Sequence, residues 1–293
     1  MIDNFSFDKL FGITKNSISI FFRNINVFYL GIISVIFSAV IFVLNYINIK
    51  NSKIPSKFTK SYINHLYSFY SSHTSEIIII LIVLFIYLLI SIYFTSFSST
   101  ALIKYVLGGE SSESFLSSWD RGKEKWKEYI VYYIIYYIIA MIISVIVILI
   151  SAFFLIIPII NFLVLIVLIL FFVVVFSLSF IGIRLVLDPE REMDVIDAIR
   201  MAYKFFWQHK LEYLRVTSFY IMVFVVLYLI FGFILESIII KVALSLIAYN
   251  FLIGVSFEII GTLIALYVSA FISVFSSVYW TKIYSIFKNL SYL

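Results

Sequence analysis

The chain has 293 residues, of which 63% are hydrophobic and 13% are charged. Soluble domains contain about 45–50% apolar and about 25% charged residues, and so few charges cannot cover the surface of a soluble fold of this length. Several apolar runs also exceed the ~18 residues that mark a bilayer span. The composition therefore excludes a soluble protein and predicts an all-α, polytopic membrane protein, with residues 1–293 in a single integral domain.

Reactive side chains are scarce in this sequence. The chain has no Cys, which excludes disulfides, thiolate metal sites and cysteine nucleophiles. The three His residues lack the spacing of metal ligands, and the phosphate-binding glycine loop and the HExxH and GxSxG motifs are absent. We therefore expect no catalytic residue, no metal and no cofactor, and we predict that the protein is not an enzyme.

Six apolar segments are long enough to cross a bilayer, because about 1.5 Å of rise per residue lets each cover the ~30 Å hydrocarbon core. In chain order the predicted spans are Val27–Asn45, Glu76–Phe97, Tyr129–Leu149, Asn161–Leu187, Leu214–Leu235 and Phe251–Trp280. The apolar segment Ser237–Asn250 is shorter. We predict that it forms an interfacial or re-entrant helix rather than a seventh span.

The distribution of cations predicts the orientation. All but five of the 21 Lys and Arg residues fall on the side that carries both termini. Four of those five lie in the connection Tyr46–Ser75. The positive-inside rule then places both termini in the cytoplasm of a cell-membrane protein. The net charge of +5 predicts anionic lipid headgroups as partners, whereas the chain has no soluble basic region that would indicate nucleic acid.

Each odd-numbered span is preceded by a segment with amphipathic helical periodicity. The clearest of the three has apolar residues on one face and polar residues on another, namely Ile196, Ile199, Tyr203 and Phe206 against Asp197, Arg200, Lys204 and Gln208. Three such helices are predicted to lie in the cytoplasmic interface. Together with the spans they suggest a threefold repeat, with units of about 5–104, 113–187 and 194–288.

A second marker recurs at the end of each even-numbered span. A serine there is followed five residues later by a cation, which is Lys104, Arg184 or Lys282. A cation at this position caps the negative end of the helix dipole and reaches the headgroups. We therefore predict that these three side chains contact lipid phosphate. The acidic run after Leu187, from Asp188 to Glu192, is interpreted as a solvated connector.

Ionisable residues near the outer half of the predicted bundle form a candidate intramembrane polar site, made of Glu258, Glu236 and Lys241. An ionisable residue inside a membrane is a functional hypothesis by default, and one interpretation is a proton- or cation-coupled site. The other interpretation is a set of headgroup-level charges joined in a salt bridge.

Two further stripes each allow a functional and a packing interpretation. One consists of small residues at four-residue spacing, namely Gly261, Ala265, Ser269, Ser273 and Ser277. It predicts either close helix packing or a hydroxyl-lined pathway. The other consists of the tyrosines Tyr129, Tyr132, Tyr133, Tyr136 and Tyr137. It predicts either an aromatic belt that runs into a packed face or a groove for an aromatic or lipid substrate.

Short motifs in the amphipathic segments resemble a group of prokaryotic six-span membrane families. The likeness rests on the run from Asp194 to Arg200 leading into Phe206-Trp207, and on the run from Glu113 to Leu116 leading into Trp126. One such family is the membrane domain that precedes some glycerophosphodiester phosphodiesterases. The phosphodiesterase domain itself is absent here, so the resemblance implies a membrane architecture and no catalytic activity.

These observations predict a non-enzymatic role in organising the bilayer or docking a partner at the cytoplasmic face. The alternative is a small transporter or channel that uses the intramembrane carboxylates, and a lipid-modifying enzyme ranks third.

Overall fold

The structure is a computed structural model that describes residues 5–36, 74–108, 115–153, 178–191, 193–233 and 251–290, together with positions 175 and 242. Throughout these ranges the regular structure is helical and contains no strand. The prediction of an all-α fold is therefore confirmed. Most of the connection Tyr46–Ser75 and of the segment Ser237–Asn250 lies outside the described residues.

Eight α-helices form the described part of the chain. They are α1 Phe7–Arg23, α2 Ile25–Ile36, α3 Thr74–Leu107, α4 Phe115–Phe153, α5 Leu178–Leu187, α6 Val195–Gln208, α7 Lys210–Phe233 and α8 Phe251–Leu290. Helices α3, α4, α7 and α8 are apolar around most of their circumference. A helix of that kind is stable where an apolar environment surrounds it.

Four of these helices are long and apolar enough to cross a membrane, over Phe85–Leu107, Gly122–Val145, Lys210–Phe231 and Ile259–Asn289. A fifth span results if α1 and α2, which are bent by 93°, are counted together. These helices agree with the predicted multi-pass architecture. The count of six spans stays a prediction, because much of the predicted first and fourth spans lies outside the described residues.

A single non-helical residue separates each amphipathic segment from the helix that follows it. These residues are Asn24 (φ −122°, ψ 105°), Lys125 (φ −128°, ψ 21°) and His209 (φ −125°, ψ 35°). Asn24 ends α1 by donating its N–H to the Ile20 carbonyl at 3.1 Å. Its Oδ1 then accepts the N–H of Asn26 at 2.9 Å, which caps the start of α2. One residue therefore makes the sharp corner between the two helices.

The helices alternate in direction and meet at one end of the bundle. At this end Lys104 of α3 pairs with Glu124 of α4, and Lys125 donates to the Val186 carbonyl of α5 at 3.2 Å. Lys288 of α8 donates to Asp188, directly after α5, at 2.7 Å. We call this region, defined by Lys104, Glu124, Lys125, Asp188 and Lys288, the charged end.

Most of the buried apolar side chains lie toward the charged end. They form two clusters that share helices α1, α3 and α8. Tyr132, Tyr213 and Trp280 are completely buried there. Farther along α3, α4, α7 and α8, large apolar side chains such as Leu229 and Leu263 are exposed. Exposed apolar surface over several helices is the expected result where lipid, not water, is the solvent.

Small residues allow close helix packing between α2 and α8. Ser34 and Ser273 are hydrogen-bonded through their hydroxyl groups at 3.0 Å. A methyl group on Gly31 would lie 3.1 Å from the carbonyl oxygen of Ala270, so only glycine fits without a shift. At Ser273 the small-residue stripe therefore serves helix packing, whereas Ser269 of the same stripe is exposed.

Candidate functional site: three-faced helices and a buried arginine

Helix α6 has three faces rather than the two that its sequence pattern predicts. Because each residue advances about 100° around a helix, its side chains fall into a buried, an apolar exposed and a charged exposed sector. The buried sector consists of Ala198, Ala202 and Phe205, and the apolar exposed sector consists of Ile196, Tyr203 and Trp207. The charged exposed sector consists of Asp197, Arg200 and Lys204. One helix thus has a packed face, an exposed apolar face and an exposed charged face.

The structure divides the apolar face that the sequence predicts for α6. Ile196 and Tyr203 are 63% and 57% exposed, whereas Ile199 and Phe206 are partly buried. The residues that do pack against the bundle are the smaller Ala198 and Ala202, with Phe205. Large exposed apolar side chains beside a charged face are typical of a helix that lies in a membrane interface.

Helix α1 repeats the three sectors. Its buried sector contains Leu10, Thr14 and Phe21, and its apolar exposed sector contains Phe7, Phe11 and Phe22. Its charged exposed sector contains Asp8, Lys15 and Arg23. The sectors follow one another in the same rotational sense as in α6. If both helices pack their buried sector on the bundle and turn their apolar sector toward the same side of the membrane, their axes run in the same direction around the bundle.

The third amphipathic segment forms the beginning of α4, before the break at Lys125. Its two tryptophans pack on α3, since Trp119 lies 4.2 Å from Phe97 and Trp126 lies 4.8 Å from Tyr93, measured between ring centroids. Gly122 is also close to α3, because a methyl group there would lie 2.9 Å from the Phe97 carbonyl oxygen. The side chains of residues 115–118 lie outside the described set.

Arg184 is the most deeply buried of the three predicted lipid contacts, with 1% of its surface exposed. Its Nε donates to the Thr281 hydroxyl at 2.9 Å, its Nη1 to the Phe180 carbonyl at 2.6 Å, and its Nη2 to the Ser277 carbonyl at 2.8 Å. The rigid, planar guanidinium suits such divergent acceptors. The cation lies within electrostatic range of Tyr129, Tyr132, Tyr133 and Tyr220.

The structure gives the three cations different surroundings. Lys104 is buried and forms an ion pair with Glu124, Arg184 binds oxygen atoms of the protein, and Lys282 is half-buried. The sequence placed all three at headgroup level from their shared spacing alone. Contact with lipid phosphate stays a prediction for them, and for Arg184 the acceptors in the structure are protein groups.

The candidate intramembrane polar site falls largely outside the described residues. Glu236 and Lys241 lie outside them, and Glu258 lies on α8 with a side chain that is not described. A site formed by these three residues therefore stays a prediction.

Asp188 is a structural residue that the sequence interpretation missed. Its run was expected to be solvated, yet Asp188 is 1% exposed and accepts hydrogen bonds from Tyr284 and Lys288, each at 2.7 Å. Burial alone would raise the pKa of this carboxyl group. The hydrogen bonds from Lys288, Tyr284 and the Glu190 N–H outweigh burial and hold the pKa below its ordinary value of 3.8. Its position directly before Pro189 gave no signal of the hydrogen bonds to Tyr284 and Lys288.

The tyrosine stripe is packed along one side and open along another. Tyr132 and Tyr136 are buried, whereas Tyr137 is exposed. Tyr132 lies directly against Gly182 of α5, where a methyl group would lie 2.7 Å from its Cζ atom. This contact is the packed face that one of the two interpretations predicts.

Comparisons with models of known protein families, with curated protein sequences and with solved structures find no match to this chain. The resemblance to six-span membrane families therefore stays a prediction.

Proposed function

We propose that the protein is a non-enzymatic, multi-pass membrane protein that organises anionic lipid at the cytoplasmic surface of the cell membrane. The observation that carries this proposal is the three-faced construction of α1 and α6. In an interface the buried sector packs on the bundle, the apolar sector enters the acyl region, and the charged sector meets headgroups and water. Cations such as Lys15 and Lys204 then attract anionic lipid.

The topology that we propose has six spans, with both termini and the amphipathic helices in the cytoplasm. The alternating helix directions at the charged end support six spans, and the excess of Lys and Arg supports the orientation. The backbone angles at Lys125, within α4, are similar to those at His209, directly before α7, and this similarity supports the threefold repeat. A partner protein that docks at this surface would meet the charged sectors.

Lipid enrichment around the reconstituted protein tests the proposal. Proteoliposomes would contain phosphatidylcholine and a small amount of headgroup-labelled, self-quenching phosphatidylglycerol. We expect the wild-type protein to increase quenching at low salt and less so at high salt, because salt screens exposed charges. The double variant Lys15→Glu/Lys204→Glu should lose the effect, and a double variant with Lys15→Arg and Lys204→Arg should keep it. Equal quenching with all three proteins would overturn the proposal.

The second candidate is a small transporter or channel. It is favoured by the position of Glu258 within the long apolar helix α8, between Gly254 and Gly261, because an intramembrane carboxylate is costly unless it has a function. The test is proton or cation flux into proteoliposomes that contain the wild-type protein or Glu258→Gln. If the two fluxes are equal, this candidate loses its main support.

A further inference from the structure

An open groove lies between the N-terminal turn of α1 and the first turns of α7. Its volume is about 490 Å³, within the ~300–1,000 Å³ typical of small-molecule sites. One wall consists of Phe5, Phe7 and Leu10, and the other includes Phe219 and Met222. The rings of Phe7 and Phe219 meet edge to face at 5.2 Å between centroids, so the two walls join along an apolar surface.

One wall is held firmly by the protein core. Phe5 is completely buried, and its ring lies 4.6 Å from that of Phe287 near the end of α8. The α1 wall is therefore fixed to α8, and Phe219 of the α7 wall is buried in the same core cluster. Because both walls are held by the core, the groove keeps its shape without an occupant, which lowers the entropic cost of binding.

Among the described residues that line the groove, Arg215 is the one cation, and Ser218 lines the groove about one turn further along α7. Arg215 is exposed, and no ion pair to it occurs among the described residues. It stands five residues into α7, so it lies about 7–8 Å along the helix axis from Lys210. In a helix that enters the bilayer near Lys210, this distance corresponds to the headgroup and glycerol region.

We infer that this groove binds one anionic phospholipid, with the phosphate at Arg215 and an acyl chain along Phe7, Phe219 and Met222. The inference rests on the proposed membrane setting of α1 and α7. The ligand is a lipid rather than a free anion, because a free anion would bind Arg215 without contacting the apolar walls. A guanidinium binds phosphate through two parallel hydrogen bonds, and Ser218 supplies a further donor.

The test counts tightly bound lipid on the full-length protein by native mass spectrometry. Protein is extracted from membranes that contain equimolar phosphatidylglycerol and phosphatidylcholine. We expect retention of phosphatidylglycerol by the wild type and about a tenfold weaker retention by Arg215→Ala, which corresponds to the loss of one charge-assisted contact. Lys123→Ala is the matched control, because it removes an exposed cation that lies away from the groove.

Two further variants separate the headgroup from the acyl chain and guard against misfolding. Met222→Trp fills the groove without changing the charge and should reduce retention of phosphatidylglycerol. Arg215→Lys keeps the charge and should retain more phosphatidylglycerol than Arg215→Ala does. Equal retention by Arg215→Ala and wild type would overturn the inference. So would equal retention of the two lipids, or displacement of the lipid by inorganic phosphate alone. Because this assay counts lipid after extraction, whereas the quenching assay detects enrichment within the bilayer, the site and the proposed function can fail separately.

Discussion

Arg184 joins α5 to α8 through three of its N–H groups, which bind acceptors on both helices. A lysine at this position would keep the charge but lose the planar array of donors. We expect Arg184→Lys to lower the stability of the protein by about 1–3 kcal/mol, because a lysine ammonium cannot keep all three of these buried, charge-assisted hydrogen bonds. The measurement is the thermal unfolding midpoint in detergent.

The matched control for that variant is Arg200→Lys, since Arg200 is exposed and its ion pair among the described residues is a surface one with Asp197. Surface pairs contribute little, so this change should leave the midpoint almost unaltered. Equal midpoints for the two variants would contradict the structural role of Arg184.

Gly182 and Tyr132 form a contact that a double-mutant cycle can test. A methyl group at Gly182 would collide with the Tyr132 ring, so Gly182→Ala should destabilise the protein by about 1–3 kcal/mol. The Tyr132 hydroxyl is buried without a hydrogen-bond partner among the described residues. Tyr132→Phe should therefore cost little by itself and should relieve part of the Gly182→Ala defect. Strictly additive effects would show that the two residues are not in contact.

The buried carboxylate of Asp188 predicts a pH dependence of stability. The folded state holds its pKa below the ordinary value of 3.8, so the unfolded state binds the proton more readily. The stabilisation is complete above about pH 5 and is lost as the pH falls through the folded-state pKa. In Asp188→Asn it is absent at every pH.

The measurement is the difference between the unfolding midpoints of wild type and Asp188→Asn. We expect a clear difference at neutral pH that shrinks as the pH is lowered from about 5 to about 3. A difference that stays constant over this range would show that Asp188 does not titrate as the structure indicates.

At the scale of elements, the sequence was sufficient to predict the amphipathic helices but not their faces. Alternating apolar and charged residues correctly indicate helices at α1 and α6. Periodicity cannot distinguish an apolar side chain that faces the protein from one that faces lipid, because both avoid water. Small residues were the missing signal, since Ala198 and Ala202 mark the face that approaches the bundle.

The breaks between elements show a similar limit. Charge and aromatic patterns predict where each amphipathic segment ends. They do not predict that Asn24 both ends α1 and caps α2, because this depends on local backbone geometry. The ion pair between Asp188 and Lys288 joins residues one hundred positions apart. Contacts of that range arise from packing and leave no local sequence signal.

At the scale of the whole molecule, composition alone was enough to predict an all-α, multi-pass membrane protein. The structure adds that most buried side chains lie toward the charged end, and that long apolar surfaces are exposed farther along the helices. Such a molecule is well packed where its amphipathic helices attach. Its organisation agrees with the proposed role at the membrane surface, where α1 and α6 form a platform joined to the bundle.

Helices α1 and α6 are proposed to lie in the membrane interface with three distinct faces. Because the chain has no native Cys, spin labels can be placed singly by cysteine substitution. In α6 the consecutive residues Ala202, Tyr203 and Lys204 are buried, apolar exposed and charged exposed, and Phe21, Phe22 and Arg23 repeat this order in α1.

Electron paramagnetic resonance on these six labelled variants in lipid vesicles measures accessibility to oxygen, which concentrates in lipid, and to a water-soluble nickel chelate. We expect low accessibility to both at positions 202 and 21, high oxygen accessibility at 203 and 22, and high nickel accessibility at 204 and 23. High nickel accessibility at 203 and 22 would place the apolar sectors in water and show that α1 and α6 do not lie in the interface.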